Sequence, residues 1–174
     1  MSETNAEQTD AIAFVERYAS SEQFRSFFQE GMALVEQTAD YLDGEGRAAS
    51  KTLPRPTSML YASESMRLTT RLMQVSSWLL LQRAVNEGEL TVPQVLEEKR
   101  KVSLDTLLPS SSDPSYDELP DGLTKLIDRS LSLHRRVKRL DEHLYSQAEI
   151  PVAPISENPV HQSMNRISNA FQTR

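Results

Sequence analysis

Three long stretches of the chain repeat their apolar residues at helical spacing, with breakers between them. In the longest, Tyr61 to Glu87, neither proline nor glycine interrupts until Gly88, and its Leu, Met, Ala, Gln and Arg residues favour helix. At about 100° per residue, Tyr61, Leu68, Leu72, Val75 and Leu79 fall on one line. A second line, roughly opposite, carries Met59, Ala62, Met66, Met73, Leu80 and Ala84. A surface helix needs one apolar stripe, so two imply a helix covered on both sides. The flank between them is polar at Glu64, Arg67, Arg71 and Gln74, then turns apolar at Trp78, Leu81 and Val85. The pattern is that of the central helix of a bundle.

The remaining stretches fit around it. Met1 to Gln8 is polar and predicts disorder, and Asp10 to Tyr18 predicts a short helix that breaks at Ser20-Ser21. Ser20 with Gln23 reads as a capping box for the first long helix. That helix buries Phe24, Phe27, Phe28, Gly31, Val35, Thr38 and Leu42, with Leu34 and Tyr41 flanking, and Gly31 admits a close neighbour. Gly44 and Gly46 end it, and Pro54 and Pro56 make 47–56 a linker, so the central helix starts at Thr57 or Ser58. Thr91 and Pro93 open a short helix to about Val102, and Leu104 to Asp117 reads as an exposed loop. The third long helix, Pro120 to Gln147, carries the stripe Leu126, Ser130, Leu133, Val137, Leu140 and Leu144.

Beyond 148, Pro151, Pro154 and Pro159 prevent regular structure. Val160, Met164, Ile167 and Phe171 then form an amphipathic segment too short to persist alone, a candidate recognition element of the tail. The expected architecture is all-α: an antiparallel three-helix bundle running up, down and up, with a short extra helix, a flexible loop and a disordered C-terminal tail. Residues 1–19 form an arm with a short helix, 20–148 the bundle and 149–174 the tail.

Composition narrows the function. The 174 residues carry a net charge of −6, and the first fifty hold ten acids against three bases, which does not suit general nucleic-acid binding. The absence of cysteine removes disulfides, thiolate metal sites and cysteine nucleophiles. The polar N-terminus does not resemble a signal peptide, and no apolar run is long enough to span a membrane, so a cytoplasmic protein is expected. His134 and His143 lie nine apart on one helix and point in different directions, and neither a phosphate loop nor a nucleophile elbow is present. No catalytic residue, cofactor or metal is expected, and the chain reads as a non-enzyme.

Three surfaces remain as candidates. Gln74, Trp78, Leu81 and Val85 form a third stripe on the central helix, which either a second copy or the short helix 92–102 would cover; the homodimer seam is the reading preferred here. Arg135, Arg136, Lys138 and Arg139 face away from the third helix's apolar stripe: a solvated face, a site for an acidic protein, or, last, a nucleic-acid contact. The tail stripe of Val160, Met164, Ile167 and Phe171 is the third. Arg67 and Arg71 are expected to bridge to acids of the first long helix such as Glu30 or Glu36.

The run Glu64-Ser65-Met66-Arg67-Leu68-Thr69-Thr70-Arg71-Leu72-Met73-Gln74, followed by Ser77 to Val85 and Glu87-Gly88-Glu89, resembles the signature of one family. Gly31 to Glu36 and Tyr41 to Gly44 match it too. It is the regulator-of-CtrA-degradation (RcdA) family of alphaproteobacteria, and the likeness runs from about Phe24 to Leu144. The resemblance implies a dimeric three-helix bundle acting as a proteolytic adaptor. Such a protein helps deliver cell-cycle regulators, CtrA among them, to the ClpXP protease. Its implied partners are a response-regulator adaptor docked on the protease, a cyclic-di-GMP-sensing adaptor and the substrates, with recruitment to a cell pole. The alternative is a helical accessory protein that binds DNA or a transcription regulator through the basic face of the third helix.

Overall fold

The computed structural model describes residues 2–102, 104 and 107–145, with side chains from Thr9 onward. The chain forms an all-α bundle whose elements are α1 (Ser2–Ala19), α2 (Glu22–Asp43), α3 (Glu45–Ser50), α4 (Arg55–Asn86), α5 (Val92–Lys99), a 3₁₀ turn (Tyr116–Glu118) and α6 (Asp121–Tyr145). The tail stripe Val160, Met164, Ile167 and Phe171 lies outside the described residues.

Local chemistry sets the element ends, in places a few residues from where the sequence suggests. α1 begins at Ser2 rather than Asp10; neither proline nor glycine occurs in 2–8 to break the helix. The cap of α2 is Ser21, not Ser20: its Oγ accepts the Phe24 N–H at 3.1 Å, while the Ser20 hydroxyl turns back to the Arg17 carbonyl. α4 starts at Arg55, because Pro56 fits the first turn where no N–H is needed. Thr91 and Gln94 form a capping box on α5. Gly88 closes α4 with φ +72°, a conformation that L side chains rarely adopt.

Helices α2, α4 and α6 pack on one another in pairs and enclose the core. Gly31 lets the Leu79 side chain of α4 lie against α2: a β-carbon there would meet Leu79 Cδ1 at 2.4 Å. Cross-helix pairs give the directions. Arg136 meets Glu30 and Arg129 meets Gln37, so α2 and α6 are antiparallel. Arg83 lies over Phe28, and Gly31 faces Leu79, so α2 and α4 are antiparallel too. Arg71 meets Ser130, Trp78 meets Asp141 and Gln82 meets Tyr145, so α4 and α6 run the same way.

The path is therefore not a plain up-down-up. Two parallel helices need a connection that returns along their length, and the segment after α5 supplies it. Leu107 lies at Arg71, Ser110 at Glu64 and Glu118 at Thr57. The stretch expected as an exposed loop is a strap beside α4, with Leu104, Pro109, Ser110 and Tyr116 half-buried.

The first apolar line of α4 is buried throughout: Tyr61, Leu68, Leu72, Val75 and Leu79. Among the described residues, the second is not covered. Helices α1 and α5 pack against α4 instead, and α1 also reaches α6. With Ala11, Val15, Ala19, Val92 and Val95 they join the same core as Trp78 and Val85. Among the described residues, no helix is long and apolar enough to cross a membrane.

Candidate interaction surfaces

Helix α4 presents three kinds of face, and their chemistry follows from what packs on each. The expected seam of Gln74, Trp78, Leu81 and Val85 is not open to a second copy. Trp78 is fully buried within the chain and Val85 nearly so, while Gln74 and Leu81 are half-buried. The Trp78 indole N–H donates to Asp141 Oδ1 at 2.8 Å, and Lys99 of α5 holds Asp141 Oδ2 at 2.9 Å. Lys99 also lies 4.4 Å from the centre of the Tyr145 ring. One carboxylate thus ties α4, α5 and α6 together. The short helix expected at 92–102, here α5, and α1 supply the cover.

Next to that seam runs a buried polar line. Glu64, Arg71, Gln82, Ser130 and His134 are all fully buried. Arg71 donates to Ser130 Oγ at 2.7 Å and to the Leu107 carbonyl. Glu64 Oε1 accepts from Arg67 at 2.7 Å and from the Ser110 backbone N–H at 2.9 Å. The expected bridges from Arg67 or Arg71 to α2 are not formed; Arg67 folds back to Glu64, and Glu30 pairs with Arg136. Gln82 donates to the Tyr145 hydroxyl at 2.7 Å, and burial pushes that hydroxyl's pKa up to about 12. His134 has neither ring nitrogen hydrogen-bonded. Burial, then Arg71 and Lys138, hold its pKa below the usual histidine value.

The second apolar line of α4 faces outward. Met59 is 68% exposed, Met66 73%, Met73 66% and Leu80 50%, each seven residues from the next. Every exposed residue of α4 between Arg55 and Arg83 is uncharged. The Thr69 and Thr70 hydroxyls turn inward to the carbonyls of Ser65 and Met66 at 2.9 Å. Ser65, Met66, Thr69 and Thr70 edge a shallow groove of about 310 Å³ on this face. Its signal was already in the sequence as the second line of α4, and burial alone could tell that the line is uncovered.

The basic face of α6 divides. Arg136 places Nη1 2.7 Å from both Glu30 oxygens and stacks 4.6 Å over the Phe27 ring, which fastens α6 to α2. Arg135, Lys138 and Arg139 are exposed. Among the described residues, no group of three or more His, Cys, Asp or Glu side chains could hold a metal ion.

Comparison with known proteins places the chain. A family model described as "Protein of unknown function (DUF1465)" matches residues 15–171. The crystal structure of RcdA from Caulobacter crescentus CB15 is 47% identical, with a TM-score of 0.58, covering 75% of this chain and 98% of that chain. This chain belongs to the RcdA family. None of the curated proteins searched matches it. The run Glu64 to Gln74, on which the resemblance rests, contains both the buried Glu64–Arg71 line and the exposed Met66 and Met73. It thus spans two opposite surfaces of one helix.

Proposed function

We propose that this RcdA-family chain is a non-enzymatic adaptor in regulated proteolysis, which helps deliver cell-cycle regulators such as CtrA to the ClpXP protease. The observation that carries the reading is the 47% identity to Caulobacter RcdA over 98% of that chain. The partners are a response-regulator adaptor on the protease, a cyclic-di-GMP-sensing adaptor and the substrates, met in the cytoplasm and at a cell pole. The test is reconstituted degradation of CtrA by ClpXP with its primed response regulator, comparing the intact chain with one truncated after Ala148. Acceleration by the intact chain alone makes the tail stripe Val160, Met164, Ile167 and Phe171 the delivery element. Equal acceleration by both assigns delivery to the bundle. No acceleration by either sinks the adaptor reading.

A homodimer belongs to the same reading, and the methionine face supports it. An uncharged apolar strip of this length is uncommon on a monomer's surface, and a sevenfold repeat suits a seam between two helices. From Met59 to Leu80 the strip extends about 32 Å at 1.5 Å per residue. A two-fold axis between Met66 and Met73 pairs those residues across the seam and sets Met59 against Leu80. Sedimentation of Met66→Glu beside the parent checks it: a parent dimer and a monomeric variant are expected.

The competing reading, DNA binding through α6, is weakened by Arg136, which is engaged with Glu30 and Phe27. Charge reversal at Arg135, Lys138 and Arg139 separates the two. Unchanged degradation with loss of measurable DNA binding would favour the accessory role.

A further inference from the structure

The strap's side chains anchor it at its ends, where Leu104 and Tyr116 pack against the core, but between them residues 107–110 are held chiefly through backbone groups. Leu107 is 36% exposed and Leu108 68%, so neither leucine is an anchor. The grip comes from α4: Arg71 takes the Leu107 carbonyl, Glu64 accepts the Ser110 N–H at 2.9 Å, and Arg67 donates to the Ser110 hydroxyl. Pro109, between them, has no N–H to satisfy. The groove therefore reads a carbonyl, a proline two residues on, and an N–H with a hydroxyl one residue later. It leaves the first two side chains unread.

The gripping groups are also poorly satisfied. Glu64 and Arg71 are fully buried, yet Glu64 Oε2 and Arg71 Nε have no hydrogen-bond partner. Charged groups kept dry without full hydrogen bonding are costly, and that cost falls when the strap lifts and water enters. The closed strap is thus held less firmly than its contacts alone would make it. Main-chain reading of this kind accepts many sequences, as in peptide recognition by strand addition.

We propose that this part of the α4–α6 groove is a main-chain-reading peptide site, filled in cis by residues 107–110, and that an extended, uncharged segment of a second protein with a Pro-Ser or Pro-Thr step takes the strap's place. The proposal does not depend on the protease, so its failure leaves the adaptor reading untouched.

The probe is a fluorescein-labelled peptide of residues 104–113, with binding read by anisotropy. Ser110→Pro removes the N–H that Glu64 accepts and opens the strap of the protein itself. If the closed strap leaves the site open about a tenth of the time, this variant binds the peptide about tenfold more tightly than the parent. N-methylation of the peptide serine equivalent to Ser110 removes the gain. Equal binding by parent and variant, or equal binding of the methylated peptide, overturns the proposal.

A second measurement serves if Ser110→Pro does not fold. In the isotope-labelled parent, excess unlabelled peptide should speed hydrogen exchange at the Ser110 amide while α2 amides stay protected. A Ser110 amide that keeps its protection overturns the proposal as well.

Discussion

The two sides of α4 invert the usual distribution of residues. On one, Glu64, Arg71 and Gln82 are fully buried beside Trp78; on the other, Met59, Met66 and Met73 are each about two-thirds exposed. Charge lies inside and large apolar side chains lie outside on the same 32-residue helix. What separates them is the neighbour each face has within the chain. The buried side is enclosed by α6 and the strap, whose hydroxyls and backbone groups give charged side chains partners, whereas among the described residues no element packs on the methionine side. The comparison predicts that stability resides in the first face and association in the second, and each variant below tests one half of that division.

The largest effect belongs to Trp78. It is the largest fully buried side chain and donates to Asp141, so Trp78→Ala leaves a cavity and takes one of its two partners from the Asp141 carboxylate at the joint of α4, α5 and α6. A loss of about 3–5 kcal/mol in urea unfolding is expected. Were Trp78 part of a dimer seam instead, the variant would lose association and keep its monomer stability.

Arg71→Ala follows. It removes the buried cation that donates to Ser130 and the Leu107 carbonyl and lies near Glu64, and breaking a buried charged network from one side costs about 3–5 kcal/mol. Replacing both charges, as Glu64→Leu with Arg71→Met, should cost clearly less than the sum of the single changes. Additivity in that double-mutant cycle would show that the two charges act independently.

The sequence showed the helices and not their neighbours. Periodicity located both apolar lines of α4 correctly, since spacing along a helix is a local property. It could not tell that the Met59–Leu80 line would stay open, because cover can come from the same chain or from another. The error at Trp78, Leu81 and Val85 has the same origin: α1, through Ala11, Val15 and Ala19, packs with α5 against α4. Nor could the parallel course of α4 and α6 be read, since it depends on the strap's path. Glu64 and Arg71 could be read as a polar flank but not matched to their partners, Ser110, Leu107 and Ser130, which are 36 to 59 residues away in the chain.

A smaller effect, in pH, comes from His134. It is buried beside Arg71 and Lys138, and its folded-state pKa lies below the ordinary 6.5. The unfolded chain therefore binds the proton more readily. The stability due to the neutral ring is fully present above about pH 6.5 and declines as pH falls below it. Urea midpoints measured from pH 7.5 down to 5 should fall for the parent and flatten for His134→Phe. A parent with a flat profile would mean that His134 finds a proton partner when the fold loosens, and that the buried polar side is more hydrated than its burial implies.

The smallest expected effect on the folded chain is that of Met73→Glu, and it is the most informative about the other face. With the side chain 66% exposed, the substitution should change monomer stability by no more than about 0.5 kcal/mol. Association responds differently, because the proposed axis sets Met73 against Met66 of the second copy and a carboxylate there would be buried without a partner. Thermal melts over a wide range of protein concentration separate the two effects. The parent's midpoint should rise with concentration, as linkage to a dimer requires, and the variant's should stay constant at the parent's low-concentration value. A variant that melts lower at every concentration would mean that Met73 contributes to the fold of the single chain. A parent with no concentration dependence would mean that the methionine face awaits a different protein, and labelled partners of the adaptor pathway would then be tested against Met73→Glu for the same loss.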